Sequence, residues 1–258
     1  AVSVAALRGL GACGGGSEVE PLATLLVGAA NDEVRDAAGR ALVACVQRSG
    51  QMDAAATSVA NAIASAPVPA RVALLGVLAE IGGERALAEL NRAVRAEDAD
   101  VKRAAVRGLA ETWADSAPLD TLLGLARADS STSIRVIALR GFIRLVSQDG
   151  GMTPDQKVAR LEQALQVAQR SDERRQAFGA LRDCRVEGSV RVLAGYLDQA
   201  ELVSEAAEAI LDLAQPQKRN NRDLQAVKGD VVVTALKAIV EKVADDGLKA
   251  RARGLMPR

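Results

Sequence analysis

One short pattern is written seven times along this chain, and it decides what the chain can fold into. An apolar residue is followed by a basic one, then by small residues, and the unit closes on Leu or a relative. The clearest copies run from Val34-Arg35 to Ala41-Leu42, from Val101-Lys102 to Gly108-Leu109 and from Ile134-Arg135 to Gly141-Phe142. The chain opens on another, Val2 to Leu10, and weaker copies close on Leu78, Leu181 and Ile210. Closing positions 10, 42, 78, 109, 142, 181 and 210 lie 32, 36, 31, 33, 39 and 29 residues apart. A period of that size with irregular spacing is the mark of a degenerate structural repeat with variable loops.

Within a copy the periodicity is helical. With Val34 as position zero, Ala37, Ala38, Ala41, Leu42 and Cys45 fall at +3, +4, +7, +8 and +11, which is one stripe of a 3.6-residue helix. A second amphipathic segment precedes each copy, as in residues 21–26 and 87–94. The unit is therefore a pair of helices, and the copy is its second member. Gly14-Gly15-Gly16, Ser49-Gly50, Gly82-Gly83 and Gly150-Gly151 stand where second helices should stop. Pro118 and Pro154 stand where first helices should begin, the latter behind Thr153 as an N-cap.

The unit apolar-Arg-x-x-Ala-x-x-Ala-Leu, ending in Gly, resembles HEAT repeats in the short form common in bacterial proteins. The resemblance covers about residues 1–213. It implies an all-α, right-handed solenoid of antiparallel helix pairs, HEAT- or armadillo-like, with first helices on the convex side and second helices on the concave side. Seven to eight pairs are expected. Residues 1–215 read as the repeat array. Residues 216–258 read as a polar loop, with Lys218 to Arg222 as its exposed basic stretch, and a divergent terminal pair at 230–243 and 248–255 in the same domain. The chain starts in helical register without an initiator Met, and it is read as a segment of a longer protein of unknown compartment.

Composition removes several classes of function. The 258 residues contain no histidine, which takes away the commonest general base and metal ligand together. Lys plus Arg and Asp plus Glu both number 33, so no net charge draws the chain toward nucleic acid or an acidic membrane. No apolar run reaches the roughly 18 residues of a membrane span. Aromatics make up only 2%, and Trp113, Phe142, Phe178 and Tyr196 are dispersed, whereas a base-stacking platform groups them. Phe142 and Phe178 read as core. Gly14-Gly15-Gly16 follows a helix, while phosphate-binding loops follow a strand. No catalytic residue, cofactor or metal site is expected.

Three columns remain. Cys13, Cys45 and Cys184 share position +11 and read as buried structural thiols, too far apart on neighbouring helices to pair. The basic +1 column is Arg35, Arg71, Lys102, Arg135 and Arg174; the resemblance implies that it cross-links adjacent repeats through turn acids such as Asp32 and Asp100. Positions +2, +6, +9 and +13 point away from the stripe. They hold Arg8, Arg40, Arg107 and Arg140 at +6, with Val43, Val72, Arg103, Val136, Ile143, Arg175 and Arg182 around them. Arginine among exposed Val and Ile is what protein interfaces favour at their centres. The expected function is thus a non-catalytic scaffold that binds a protein or peptide on its concave face. Two other readings stand beside it. One is a tether within a larger multidomain bacterial protein. The other is a DNA-binding or glycosylase-like stack, for which Trp113 with Asp115 is the one echo of a site.

Overall fold

The computed structural model describes residues 4–219 and 221–256, and they are helical almost throughout. Over their described residues the seven sequence copies lie on helices: α1 (Val4–Cys13), α3 (Asp32–Ser49), α5 (Val68–Ile81), α7 (Ala99–Arg107), α9 (Thr132–Gln148), α11 (Ser171–Cys184) and α13 (Val203–Ala214). Between them lie α2 (Val19–Val27), α4 (Met52–Ser65), α6 (Gly83–Ala93), α8 (Leu119–Ala128), α10 (Pro154–Val167) and α12 (Glu187–Ala194). The last pair is α14 (Asp230–Lys242) and α15 (Asp246–Leu255).

Local chemistry sets most boundaries. Asn31, Asp98 and Asp245 each accept the N–H of a first-turn residue, Val34, Val101 and Leu248, at 2.9, 3.0 and 2.8 Å. Two of these caps are carboxylates, each from a pair of adjacent acids, Glu97-Asp98 and Asp245-Asp246. Thr153 and Gln156 cap each other reciprocally ahead of α10, with Pro154 as its first residue. At the other ends, Gly50 and Gly82 stop α3 and α5 with φ of 69° and 74°, where a side chain would be strained.

The chain divides into two compact units, Ala1–Gly141 and Phe142–Arg258, with the division inside α9. In the first unit each second helix packs on the next: α1 on α3, α3 on α5, α5 on α7. First helices α2 and α4, then α4 and α6, do the same, and each also packs on its own partner. The core is Ala, Leu and Val, with Leu7, Leu26, Leu42, Leu74, Leu78, Leu90 and Leu109 fully buried. In the second unit α10 packs on α11, α11 on α13, and α12 on α13 and α14, while α14 and α15 close as a pair. Phe142 and Phe178 are buried there, and Phe178 meets Tyr196 edge to face at 5.0 Å.

Two local features differ from the sequence reading. After α7 the helix widens into a π turn, Gly108–Thr112, closed by Trp113 N–H on the Gly108 carbonyl at 2.8 Å. Its small residues allow close approach: a Cβ on Gly108 would lie 2.9 Å from the Ala79 Cβ. The stretch read as an exposed loop contains a two-stranded antiparallel hairpin, β1 (Gln217–Arg219) and β2 (Arg222–Leu224), in which Lys218 pairs with Asp223. Asn221 takes φ of 61° at its turn, a conformation that Asn tolerates better than most residues. Asn220 lies outside the described residues.

Candidate partner-binding surface

The second helices of the first unit lie side by side, and the sequence repeat dictates what faces outward. Arg8, Arg40, Arg107 and Arg140 at +6 are all exposed, one each on α1, α3, α7 and α9. The α5 member of this row is Gly76, and a Cβ there would meet nothing within 4 Å. Beside the row, Val4, Val72 and Val136 at +2 are half-buried and Arg103 is exposed. Arg107 lies 3.9 Å from Glu111 and Arg103 lies 3.2 Å from Asp100, both along their own helix and both exposed. Such pairs hold little. Arg8 and Arg40 have no ion-pair or hydrogen-bond partner for their guanidinium among the described residues.

Val43 and Ile143 were expected on this surface and do not belong to it: their residual exposures are 6% and 2%. Position +9 is the seam between neighbouring second helices. A Cβ on Gly11 would lie 3.3 Å from the Ala41 Cα, one on Gly108 2.9 Å from the Ala79 Cβ, and one on Gly141 2.4 Å from the Ala110 Cα. In each case +9 of one helix presses on +7 of the next. A second helix is thus flanked by a preceding and a following second helix. Its exposed face is a narrow strip centred on +6, and not the point diametrically opposite the stripe.

Arg175 and Arg182, in the second unit, are exposed but already engaged. Arg175 Nε donates to Glu205 at 2.5 Å and Arg182 Nη1 to Asp212 at 3.2 Å, both acids being on the neighbouring α13. They act as lateral struts.

The +1 column also has a different job from the one the resemblance implied. Arg71 Nε donates to the Ala66 carbonyl at 2.7 Å. Arg35, Arg135 and Arg174 donate through Nη to the carbonyls of Ala29, Asp129 and Ala168 at 3.3, 3.2 and 3.1 Å. In every case the acceptor lies just past the end of the first helix of the same pair, where carbonyls lack helical partners. The arginine closes its own hairpin. Arg35 also pairs with Asp32, in its own turn, and Asp100 pairs with Arg103 rather than Lys102. The lysine of this column does reach a neighbouring pair: Lys102 Nζ meets the nearly buried Asp129 at 2.5 Å. Burial works against ionisation of Asp129. The Lys102 ammonium, the Ser131 N–H and nearby Arg135 outweigh that and hold its carboxyl below the usual carboxylate range.

The +11 thiols are free, and only Cys45 is fully buried. Cys184 is half-buried, and burial pushes both thiols above their ordinary pKa, which leaves them poor nucleophiles. Cys13 is exposed, contrary to expectation; the described packing of α1 is against α3. Trp113 is buried, and its Nε1 donates to Asp115 at 2.8 Å; the same carboxylate oxygen accepts the Ala117 N–H at 2.8 Å. That carboxylate is occupied in fastening a turn. Among the described residues, no three His, Cys, Asp or Glu side chains are placed to hold a metal ion. No described helix is long and apolar enough to cross a membrane.

No family model matches the chain, and no curated protein does. Among solved structures it is similar to two engineered proteins from a structural-genomics consortium, each at 19% identity, with TM-scores of 0.42 and 0.39. Those likenesses cover 91% and 93% of this chain, and 66% and 95% of the engineered ones. The chain thus spans about two thirds of the first engineered protein. A computationally designed self-assembling cyclic homo-oligomer follows at 12% identity and a TM-score of 0.16. At these TM-scores the likenesses carry no argument about function.

Proposed function

We propose that the chain is a non-catalytic binding scaffold, a right-handed solenoid of the HEAT type that holds a protein or peptide partner against its second helices. The observation that supports this reading is the exposed +6 row, Arg8, Arg40, Arg107 and Arg140, beside the half-buried valines Val4, Val72 and Val136. At about 9 Å between packed helices the row runs for roughly 35 Å, the span of about ten residues of extended chain. Guanidinium groups flanked by apolar patches suit the centre of a protein interface. Their alignment favours an acidic segment.

The test is capture of partners from an extract by the immobilised protein, run beside two variants. Replacing Arg40, Arg107 and Arg140 with Glu is expected to abolish capture while leaving helical circular dichroism unchanged, because all three side chains are exposed. Gly76→Arg fills the gap in the row at a position with open space around it, and is expected to strengthen retention of the same partner. Capture that is indifferent to both changes would remove the row from consideration.

A further inference from the structure

The first unit has a second place suited to a ligand, lined by none of the row residues. A cleft of about 730 Å³ opens between the C-terminal end of α4, the first turns of α5, and α6 with the turn that follows it. Its charged and polar lining is Arg71, Arg92, Arg95, Glu89 and Asn91. Three of these are already committed in part. Glu89, whose side chain is 9% exposed, accepts from Arg92 Nη2 at 2.6 Å and from Nε at 3.2 Å, so that pair is internally neutral. Asn91 gives its side-chain oxygen to the Thr121 hydroxyl at 2.9 Å, which leaves its NH₂ as a donor.

Two guanidinium groups are left over. Arg71 is half-buried and fixed through Nε on the Ala66 carbonyl; its two Nη groups have no partner among the described residues. Arg95 has no side-chain partner among them either. Arg95 is exposed, whereas Arg71 is a partly desolvated cation without a counter-charge of its own, which an incoming anion relieves. With Nε tied down, the paired Nη groups of Arg71 present the planar fork that matches a carboxylate in two parallel hydrogen bonds. Glu89 in the same wall disfavours a doubly charged ligand. The walls beside the arginines are small, Ala64 and Ala88, so a peptide backbone fits close to them.

We propose that this cleft binds a side-chain carboxylate of an acidic peptide, with Arg71 and Arg95 on the carboxylate and the Asn91 NH₂ on the neighbouring peptide carbonyl. The probe is an amidated six-residue peptide of alternating Glu and Ala carrying a neutral dye, titrated by fluorescence anisotropy. Its Gln-Ala counterpart and inorganic phosphate serve as comparisons. Wild type is expected to bind the Glu-Ala peptide. Arg95→Gln, which breaks no internal bond, is expected to weaken it about tenfold, the value of one hydrogen bond to a charged group. Arg71→Lys keeps the charge, loses the fork and is also expected to weaken binding. The Arg40, Arg107 and Arg140 to Glu variant is expected to bind as wild type does, so this site and the row fail independently. The assignment is overturned by equal binding of the Gln-Ala peptide, or by affinity unchanged in both cleft variants. Loss confined to the row variant, displacement by phosphate beyond that of chloride at equal ionic strength, or no binding by wild type would each overturn it too.

Discussion

Gly141→Ala is expected to destabilise the first unit by roughly 2–3 kcal/mol, although alanine is the better helix former. The reason is the seam between second helices. An added Cβ would sit 2.4 Å from both the Cα and the Cβ of Ala110, and 3.0 Å from its carbonyl oxygen. Backbone cannot rotate out of the way as a side chain can, so α9 must move off the π turn. The same substitution at Gly124, an exposed α8 position where the new Cβ meets nothing within 4 Å, is expected to raise stability by about 0.5–1 kcal/mol. Thermal unfolding of the two variants beside wild type reads the difference, with shifts of opposite sign. A Gly141→Ala protein that melts with the wild type would mean that the seam is looser than its glycine implies.

The second large effect is expected at Asp129. Its side chain is 4% exposed, and it holds both the Lys102 ammonium at 2.5 Å and the Ser131 N–H at 2.9 Å. Asp129→Ala leaves a largely buried lysine unpaired and a turn N–H uncapped, at a cost of about 2–3 kcal/mol. Asp129→Asn keeps a side-chain oxygen for the turn and removes only the charge, so it should cost less. The pH dependence follows from the depressed carboxyl. A folded pKa below the unfolded value of about 3.9 means the ion pair contributes fully above that value. Its contribution fades as pH falls through the unfolded value and is gone below the lowered folded one. The stability gap between wild type and Asp129→Asn, measured by denaturant melts, should therefore be constant from about pH 7 to 5 and narrow below 4. A gap that instead grows on acidification would show that Lys102 is not the partner that matters.

The helices themselves were legible because the pattern that marks them is local. Residues +3, +4, +7, +8 and +11 of one copy share a face whatever lies around them, and so all seven copies and the terminal pair can be read from spacing. Thr153 with Pro154, and Gly50 and Gly82, are legible for the same reason. What lies beyond a single helix was not. Val43 and Ile143 stand opposite the apolar stripe yet are buried, and nothing in α3 alone says that α5 packs against it. Only the small residues there in other copies, Gly11, Ala79 and Ala110, hint at a close approach. Lys102 and Asp129 are 27 positions apart and carry no spacing signal. The cleft with Arg71 and Arg95 draws on α4, α5, α6 with the turn after it, and Val101 of α7, so no short window of sequence contains it.

The way the +1 arginines close their hairpins bears on how such a chain can drift over evolutionary time. Each guanidinium takes a main-chain oxygen, at residues 29, 66, 129 and 168, and every amino acid carries that oxygen. A connecting segment can therefore exchange its side chains, or change length, without a compensating change in the arginine. Only the direction of one carbonyl must survive. Lys102 and Asp129 form the opposite kind of bond, in which either partner is stranded if the other mutates. One chain thus holds a lock indifferent to the identity of its neighbour and a tie that obliges two positions to change together, and the irregular spacing of the repeats is what the first of these permits.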